Sequence, residues 1–388
     1  MTVPSRPRVL ALLLGFWPNN DANGPNQSFR ALATALGDEF EFAMFSLGRP
    51  PGSLGDIPHG WIETGFARAR YFEAGRFGAR GLRRALLETP HDLLWLNSVL
   101  DRQFTLPALA LRRLGLIPRP PLLMSPRGEF ADGALGVKPQ RKRVYFAVAP
   151  RIDLWRGAVL HATSEAEAAD IARGDKGRHE ILVAPNLRAA VDAVFAPAED
   201  GVLRVTFVGR IVPIKQLDFA LRALALVRAR VRFEIVGPEE DAAYWRRCQA
   251  AIGDLPAHIE VRAVGECDSA GVLATLARTD VFFLPTAGEN FGHAIFEALS
   301  TGVPALISDR TPWRGLEAAR AGWDLPLEAP ETFARALDAY AALPEAGRAL
   351  WREGAQHKAR DFMRASGAEE KSRAMLRAML ERRPPGRR

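Results

Sequence analysis

Short apolar runs alternate with longer amphipathic stretches along most of the chain. Runs of strand length stand at 8–15, 93–97, 121–125, 158–163, 181–184, 203–209, 232–236, 259–264, 280–285 and 304–308. Between them, apolar positions at helical spacing mark 26–37, 104–114, 164–173, 217–229, 241–252, 269–278 and 292–301. A last helical stretch covers about 366–381, with a break at Gly367 and an end before Pro384. Strand and helix in alternation predict parallel sheets with helices on both faces. One such sheet rarely needs ten strands, so the pattern predicts an α/β chain of two doubly wound units. The seam is PNLRAAVDAVFAPAEDG at 185–201, which lacks strong periodicity and is bounded by Pro185, Pro197 and Gly201. The expected domains are 1–198 and 199–365, facing each other across a cleft lined by the carboxyl ends of strands.

Composition narrows the class. The 388 residues are 48% apolar and 25% charged, as in a folded soluble protein. The longest apolar run, VLALLLGFW at 9–17, suits one buried strand and falls far short of the roughly 20 residues a bilayer span needs. The start MTVPSRPRVL leads into that strand without a signal-peptide cleavage site, and Cys248 and Cys267 make no disulfide framework. No histidine cluster completes a metal site. A cytoplasmic, reduced protein is expected, with no metal or cofactor.

The formal charge of +7 and pI near 9.8 favour anionic partners. Basic residues gather at Arg68, Arg70, Arg76, Arg80, Arg83 and Arg84, at Lys138, Arg141, Lys142 and Arg143, and in the tail at Arg382, Arg383, Arg387 and Arg388. A solvated arginine-rich face explains any one of them. The stretch RARYFEAGRFGARGLRRALL at 68–87 mixes arginine with Tyr71, Phe72 and Phe77 and suggests contact with an anionic membrane surface, although its internal glycines argue against one clean helix. No helix-turn-helix, RNA-binding aromatic strand or zinc finger supports specific nucleic-acid binding.

Two segments carry candidate chemistry. In VTFVGRIVPIK at 205–215, a strand is followed by Gly209 and Arg210, then by Lys215 ahead of a helix. Glycine permits a close turn, and an arginine fork with a lysine point charge suits one diphosphate. The same cations can also cap a sheet edge, and position alone does not choose. In FFLPTAGENFGHAIFEALSTGVPALI at 282–307, a strand ends at Pro285 and a helix begins after Asn290, Phe291 and Gly292. Free amides at that start favour phosphate. Glu289 stands at the mouth, and Glu297 lies about a turn and a half into the helix, in reach of a ribose. The spacing of the two glutamates alone is weak; their placement across a strand–loop–helix corner is more specific.

GRIVPIKQLDFAL at 209–221 followed by GENFGHAIFEAL at 288–299 resembles the nucleotide-binding half of the family 4 retaining glycosyltransferases, of GT-B architecture with two Rossmann-like domains. In the first half NGPNQSFRALATAL at 23–36 is similar to the family's glycine-rich first loop and helix. SPRGEF at 125–130, KRVYF at 142–146 and HATSEAEAADI at 161–171 resemble a subgroup, and APNL at 184–187 resembles the segment before the interdomain linker.

The resemblance implies that Arg210 and Lys215 grip the donor diphosphate and stabilise it as it leaves, without a metal. It implies that Glu289 contacts the transferred sugar, that Asn290, Phe291, Gly292 and the amide of His293 serve sugar and diphosphate, and that Glu297 holds the ribose. Base recognition would rest on the surroundings of Gly237, Val264 and Glu266, and the last helix would cross back onto the first domain. Asn23, Gly24, Asn97, Arg127 and His161 are the candidates on the acceptor side or in the cleft. His161 also reads as a hydrogen-bonded structural residue. Asn97 and Asp101 meet acceptor hydroxyls or cap the next helix. Trp17, Pro18, Asn19 and Asn20 form a loop at the cleft edge.

Three departures stand out. Arg127 occupies the place of a histidine in many members, Gln216 replaces the glycine that usually follows Lys215, and DRTPWRGLEAARAGWDLPL at 309–327 replaces a glycine-rich stretch. Retention by double displacement wants two flanking carboxylates, and only Glu289 is a candidate, on the wrong side by the family analogy. Front-face substitution, with the leaving phosphate taking the acceptor's proton, is therefore expected. The resulting expectation is a retaining, metal-independent transferase moving a sugar from a UDP- or GDP-sugar to a saccharide or lipid-linked saccharide in surface-glycan assembly. Its rivals are a GT-B synthase or phosphorylase acting on a free sugar or sugar phosphate, and an inactive nucleotide-sugar binding module.

Overall fold

The computed structural model describes residues 6–16, 24–48, 60–73, 77–130, 145–146, 148–149, 151–189, 191 and 201–382. They fall into two compact units, Met1–Arg188 with Gly367–Arg388, and Ala189–Ser366.

The first unit has an eight-stranded sheet of β1 (Arg8–Leu13), β2 (Glu41–Leu47), β3 (Trp61–Glu63), β4 (Arg68–Phe72), β5 (Leu93–Asn97), β6 (Leu122–Ser125), β7 (Ala158–Ala162) and β8 (Ile181–Val183). Its order is β3-β4-β2-β1-β5-β6-β7-β8, parallel except for β3 against β4. Helices α1 (Gly24–Leu36), α2 (Ala79–Glu88), α3 (Thr105–Arg113) and α4 (Glu165–Asp175) accompany it. Strand alternation builds two cores: Leu10 and Leu12 enter one, while Val9, Ala11 and Leu13 enter the other.

The second unit has a six-stranded parallel sheet of β9 (Leu203–Val208), β10 (Val231–Val236), β11 (Ile259–Gly265), β12 (Val281–Leu284), β13 (Ala305–Ser308) and β14 (Gly322–Leu325). Its order is β11-β10-β9-β12-β13-β14. Its helices are α5 (Leu217–Leu224), α6 (Ala242–Gly253), α7 (Ser269–Leu276), α8 (His293–Ser300), α9 (Pro330–Ala341) and α10 (Glu345–Ser366). The last helix, α11 (Ala368–Leu380), belongs to the first unit. Its Met375, Leu376 and Met379 join the core that holds Phe29 and Phe42, and Arg373 reaches Glu39 at 2.6 Å.

Both units use the same fastening at the start of their first strand. Arg8 binds Asp92, just before β5, through its backbone N–H, Nε and Nη2 at 2.9, 3.1 and 3.0 Å. Arg204 binds Asp280, just before β12, through the same three groups at 2.8, 3.0 and 2.9 Å. In each unit the clamp ties together the two strands between which the chain reverses its direction of travel across the sheet. Ligands of open α/β sheets bind outside the carboxyl ends at that reversal.

The hydrophobic pattern predicts ten of the strands; it misses β2, β3, β4 and β14 and helices α2, α9 and α10. The described residues of 68–87 form two elements. They are strand β4, with Ala69 and Tyr71 buried, and, after Gly78, helix α2. Phe72 and Phe77 stack at 3.9 Å against the core. The aromatics read as candidates for a membrane surface pack within the unit.

Candidate functional site

In the second unit the strand ends form an ordered row. The reversal lies between β9 and β12, so the loops after these strands flank it. Gly209 follows β9 and donates its N–H to Val236 O at 2.9 Å, while Gly237 follows β10 and donates to Gly265 O at 2.8 Å. Gly237 has φ +144°, and a Cβ there would lie 2.0 Å from Gly209 O. No other residue fits while the turn at Gly209 and Arg210 lies against it. Arg210 points outward and pairs with Glu240 at 3.0 Å, both substantially exposed. At the end of β11 Val264 is half-buried against the core and Glu266 is exposed.

After Arg210, Pro213–Lys215 makes one 3-10 turn, and Gln216 starts α5 in the left-handed region at φ +54°. This conformation suits glycine, the residue the resemblance leads one to expect at that point. Lys215 and Glu289 form an ion pair, with only 16% and 13% of their side chains exposed. A backbone bond holds their loops together, Ala287 N–H reaching Ile214 O at 2.8 Å, while Glu289 N–H reaches Arg310 O, in the loop after β13, at 3.3 Å. Gly292, at φ +77°, precedes α8, which no side chain caps. The first amides of α8 thus start beside Glu289, a suitable place for an anion. Glu297 is buried in the second turn.

Sequence reasoning passed over Trp313. It is fully buried and donates its Nε1–H to Phe291 O at 2.7 Å. Its ring stacks on Phe362 of α10 at 3.9 Å, and Phe291 sits between Trp313 and His293, with ring centroids 6.3 and 4.7 Å away. Within the unfamiliar stretch 309–327 this indole braces the loop that carries Glu289, Asn290 and Gly292. Its only signal in the sequence was a tryptophan in a segment departing from the expected glycines.

The first unit gathers polar groups at the carboxyl ends of β5, β6 and β8. Arg127, left-handed at φ +55°, donates Nε and Nη2 to Asn97 Oδ1 at 3.1 and 2.8 Å and Nη1 to Asn186 Oδ1 at 2.8 Å. Burial pulls its pKa down to about 10, partly offset by Glu167, so it stays cationic at neutral pH. Asn97 Nδ2 is buried without a hydrogen-bond partner among the described residues. Asp101 accepts from the backbone N–H groups of Gln103, Phe104 and Thr105, which makes it a cap rather than a ligand group.

His161 is spent inside the protein. Nε2–H donates to Ala184 O at 2.8 Å, Ser125 Oγ–H donates to Nδ1 at 2.7 Å, and Trp95 Nε1–H donates to Ser125 Oγ at 2.8 Å. This chain needs a neutral imidazole, and burial, then the charge of Arg127, pushes the pKa down to about 3. His161 therefore reads as structural and has no nitrogen left for a donor. Gly24 begins α1, with its carbonyl accepting from Ser28 Oγ at 3.1 Å. Asn23 and the loop at 17–20 lie outside the described residues. Among the described residues no group of three or more His, Cys, Asp or Glu is placed to hold a metal ion, and no helix is long and apolar enough to cross a membrane.

Residues 203–342, from β9 through α9, match the family model described as glycosyl transferases group 1. No curated protein matches the chain in sequence. Among solved structures, sucrose-phosphate synthase from Thermosynechococcus elongatus is similar at TM-score 0.73 and 17% identity, over 97% of this chain and 99% of that one. HepE from Anabaena, solved with UDP and glucose, is similar at 0.67 and 16%, over 96% and 100%. The E. coli trehalose-6-phosphate enzyme bound with UDP-2-fluoro glucose is similar at 0.65 and 12%, over 97% and 100%. At these identities the likeness establishes the fold, which is GT-B.

Proposed function

We propose that the chain is a glycosyltransferase that binds a nucleoside diphosphate sugar along the carboxyl edge of its second sheet. The observation that carries this is the convergence at one strand reversal of Arg210, Lys215, Glu289 and the uncapped start of α8. The match of residues 203–342 to glycosyl transferases group 1 supports it. Across the sheet the row runs from Glu266 through Gly237 and Gly209 to Glu289. Three strand gaps of about 4.8 Å give roughly 14 Å, room for base, diphosphate and sugar laid in that order.

In this reading Arg210 and Lys215 leave their carboxylates and take the two phosphates. Fixed cations then stabilise the charge that grows on the departing diphosphate, which is the main electrostatic demand of the reaction. The amides of α8 meet the same group, Glu289 turns to the hydroxyls of the transferred sugar, and Glu297 holds the ribose. The acceptor meets the first unit, where Arg127 and Asn97 offer a cation and a buried amide. The departing phosphate takes the acceptor's proton on the face from which it leaves, so configuration is retained without a metal.

UDP is the favoured nucleoside diphosphate, because HepE is solved with UDP and glucose and the E. coli protein with a UDP-sugar. The acceptor is a saccharide, free or lipid-linked. A sugar phosphate is the second reading, favoured by the likeness to sucrose-phosphate synthase. The test is transfer from UDP-glucose and GDP-mannose to a panel of sugars, sugar phosphates and lipid-linked saccharides, with and without a chelator. Retained configuration at the new linkage, unaffected by the chelator, is expected; an inverted product ends the front-face mechanism.

A further inference from the structure

We infer that the amino edge of the first unit's sheet holds a second anion site, which takes a phosphate group and is separate from the donor site proposed above. Arg112, Arg113, Arg119 and Arg156, with Leu154, line one depression. All four arginines arrive on segments that precede strands. Arg112 and Arg113 end α3, Arg119 follows just before β6, and Arg156 stands just before β7. In a parallel sheet this is the edge opposite Asn97 and Arg127.

Arg112 makes the depression a site. It is only 4% exposed, yet neither Nη1 nor Nη2 has a hydrogen-bond partner among the described residues. Buried polar groups are ordinarily satisfied, and a buried ion without a counter-charge is strongly disfavoured. Its neighbours are accounted for without a ligand. Arg119 donates to Arg112 O and Arg113 O at 3.0 and 3.3 Å, closing the end of α3, and Arg113 donates to Ile152 O at 3.3 Å. These bonds bring two more cations, Arg113 and Arg119, close to Arg112 and give it no acceptor. Among the described residues, the carboxylate paired with the group is that of Asp153, exposed and 3.8 Å from Arg156. Burial, then the charge of Arg119, pulls Arg112 down to about 10, so at neutral pH it remains a cation.

A phosphate group supplies what is missing. Its charge offsets several guanidinium groups at once, and the Nη groups of Arg112, closed to solvent in this structure, open to its oxygens as a fork when it enters. Leu114, beside Arg113, is 71% exposed, and Ile152 is 50% exposed. The same phosphate chemistry can therefore come from a soluble ligand or from the headgroup of an anionic lipid.

The test uses the full chain carrying Arg210→Ala and Lys215→Met, so that phosphate has no donor cations to bind. Inorganic phosphate is titrated by calorimetry and by thermal unfolding, beside the wild type. A saturable response that survives in this protein and is lost on adding Arg112→Met is expected. Arg113→Gln with Arg156→Gln, both at accessible positions, weakens binding severalfold and serves should Arg112→Met fail to fold. A response that vanishes with the donor cations, or persists unchanged in the arginine variants, overturns the site. Sedimentation with equimolar phosphatidylcholine–phosphatidylglycerol vesicles separates the sources. Binding that phosphate reverses and Arg112→Met abolishes assigns a lipid headgroup; no vesicle binding beside an intact phosphate response assigns a soluble ligand. Failure here leaves the donor site untouched, because the donor cations are absent from the test protein.

Discussion

Replacing Trp313 by phenylalanine isolates one hydrogen bond that holds the donor loop. The smaller ring retains stacking against Phe362, whose centroid lies 3.9 Å away, but nothing then donates to Phe291 O, now 2.7 Å from the indole Nε1. Both residues are buried, so the orphaned carbonyl costs about 1–3 kcal/mol. At about 1.4 kcal/mol per tenfold, full coupling to the loop weakens nucleoside diphosphate binding by roughly 5- to 150-fold. Two assays separate loop from core: calorimetric titration of UDP or whichever nucleoside diphosphate binds, and urea unfolding without ligand. The expected result is a weakened dissociation constant, with a higher KM for the donor than kcat alone explains. An unchanged dissociation constant beside a lower unfolding midpoint refutes the reasoning, since Trp313 would then serve the core and not the loop.

Other consequences follow from the same geometry. Gly237→Ala drives a Cβ to within 2.0 Å of Gly209 O, so stability falls by at least about 2 kcal/mol and donor binding is lost; Gly265→Ala, at φ +85° with no atom within 4 Å, keeps binding. Equal losses in thermal and binding assays would show that the close approach is not decisive. Lys215→Met removes diphosphate binding, whereas Glu289→Gln frees Lys215, leaves diphosphate binding intact or tighter, and slows transfer; matching losses of affinity contradict the separation of roles. His161, pushed down to about 3 by burial, binds no proton in the fold between that value and 6.5, while the unfolded chain does. Stability is thus whole above 6.5 and falls toward acid at up to about 1.4 kcal/mol per pH unit, roughly 2 kcal/mol by pH 5. Urea midpoints at pH 7 and pH 5 check this, and His161→Gln should flatten the difference; a wild-type midpoint unchanged at pH 5 contradicts it.

What the amino-acid sequence discloses follows from how local each signal is. Gly209, Arg210, Lys215, Glu289 and Gly292 were legible because strand, glycine and helix start succeed one another within a dozen residues, and the structure places Lys215 against Glu289. Strand β4 was not, because RARYF alternates arginine with Ala69 and Tyr71 and reads as a basic segment until β2 pairs with it. Helix α10 turns only Trp351, Ala355, Ala359, Phe362 and Met363 to the core, a thin stripe whose two alanines carry little apolar signal among its charged residues. Trp313 and the Asn97–Arg127–Asn186 cluster depend on contacts across 22 to 59 residues, which no periodicity encodes. The clamps of Arg8 with Asp92 and Arg204 with Asp280 were equally hidden, spanning 84 and 76 residues.

The central claim is a donor site at the reversal between β9 and β12. Calorimetric titration of UDP, GDP and ADP into the wild type and Arg210→Ala tests it most directly. The account predicts that one diphosphate binds at a single site on the wild type and loses most of its affinity in the variant. Binding by none of the three to a folded protein, or binding indifferent to Arg210, contradicts it.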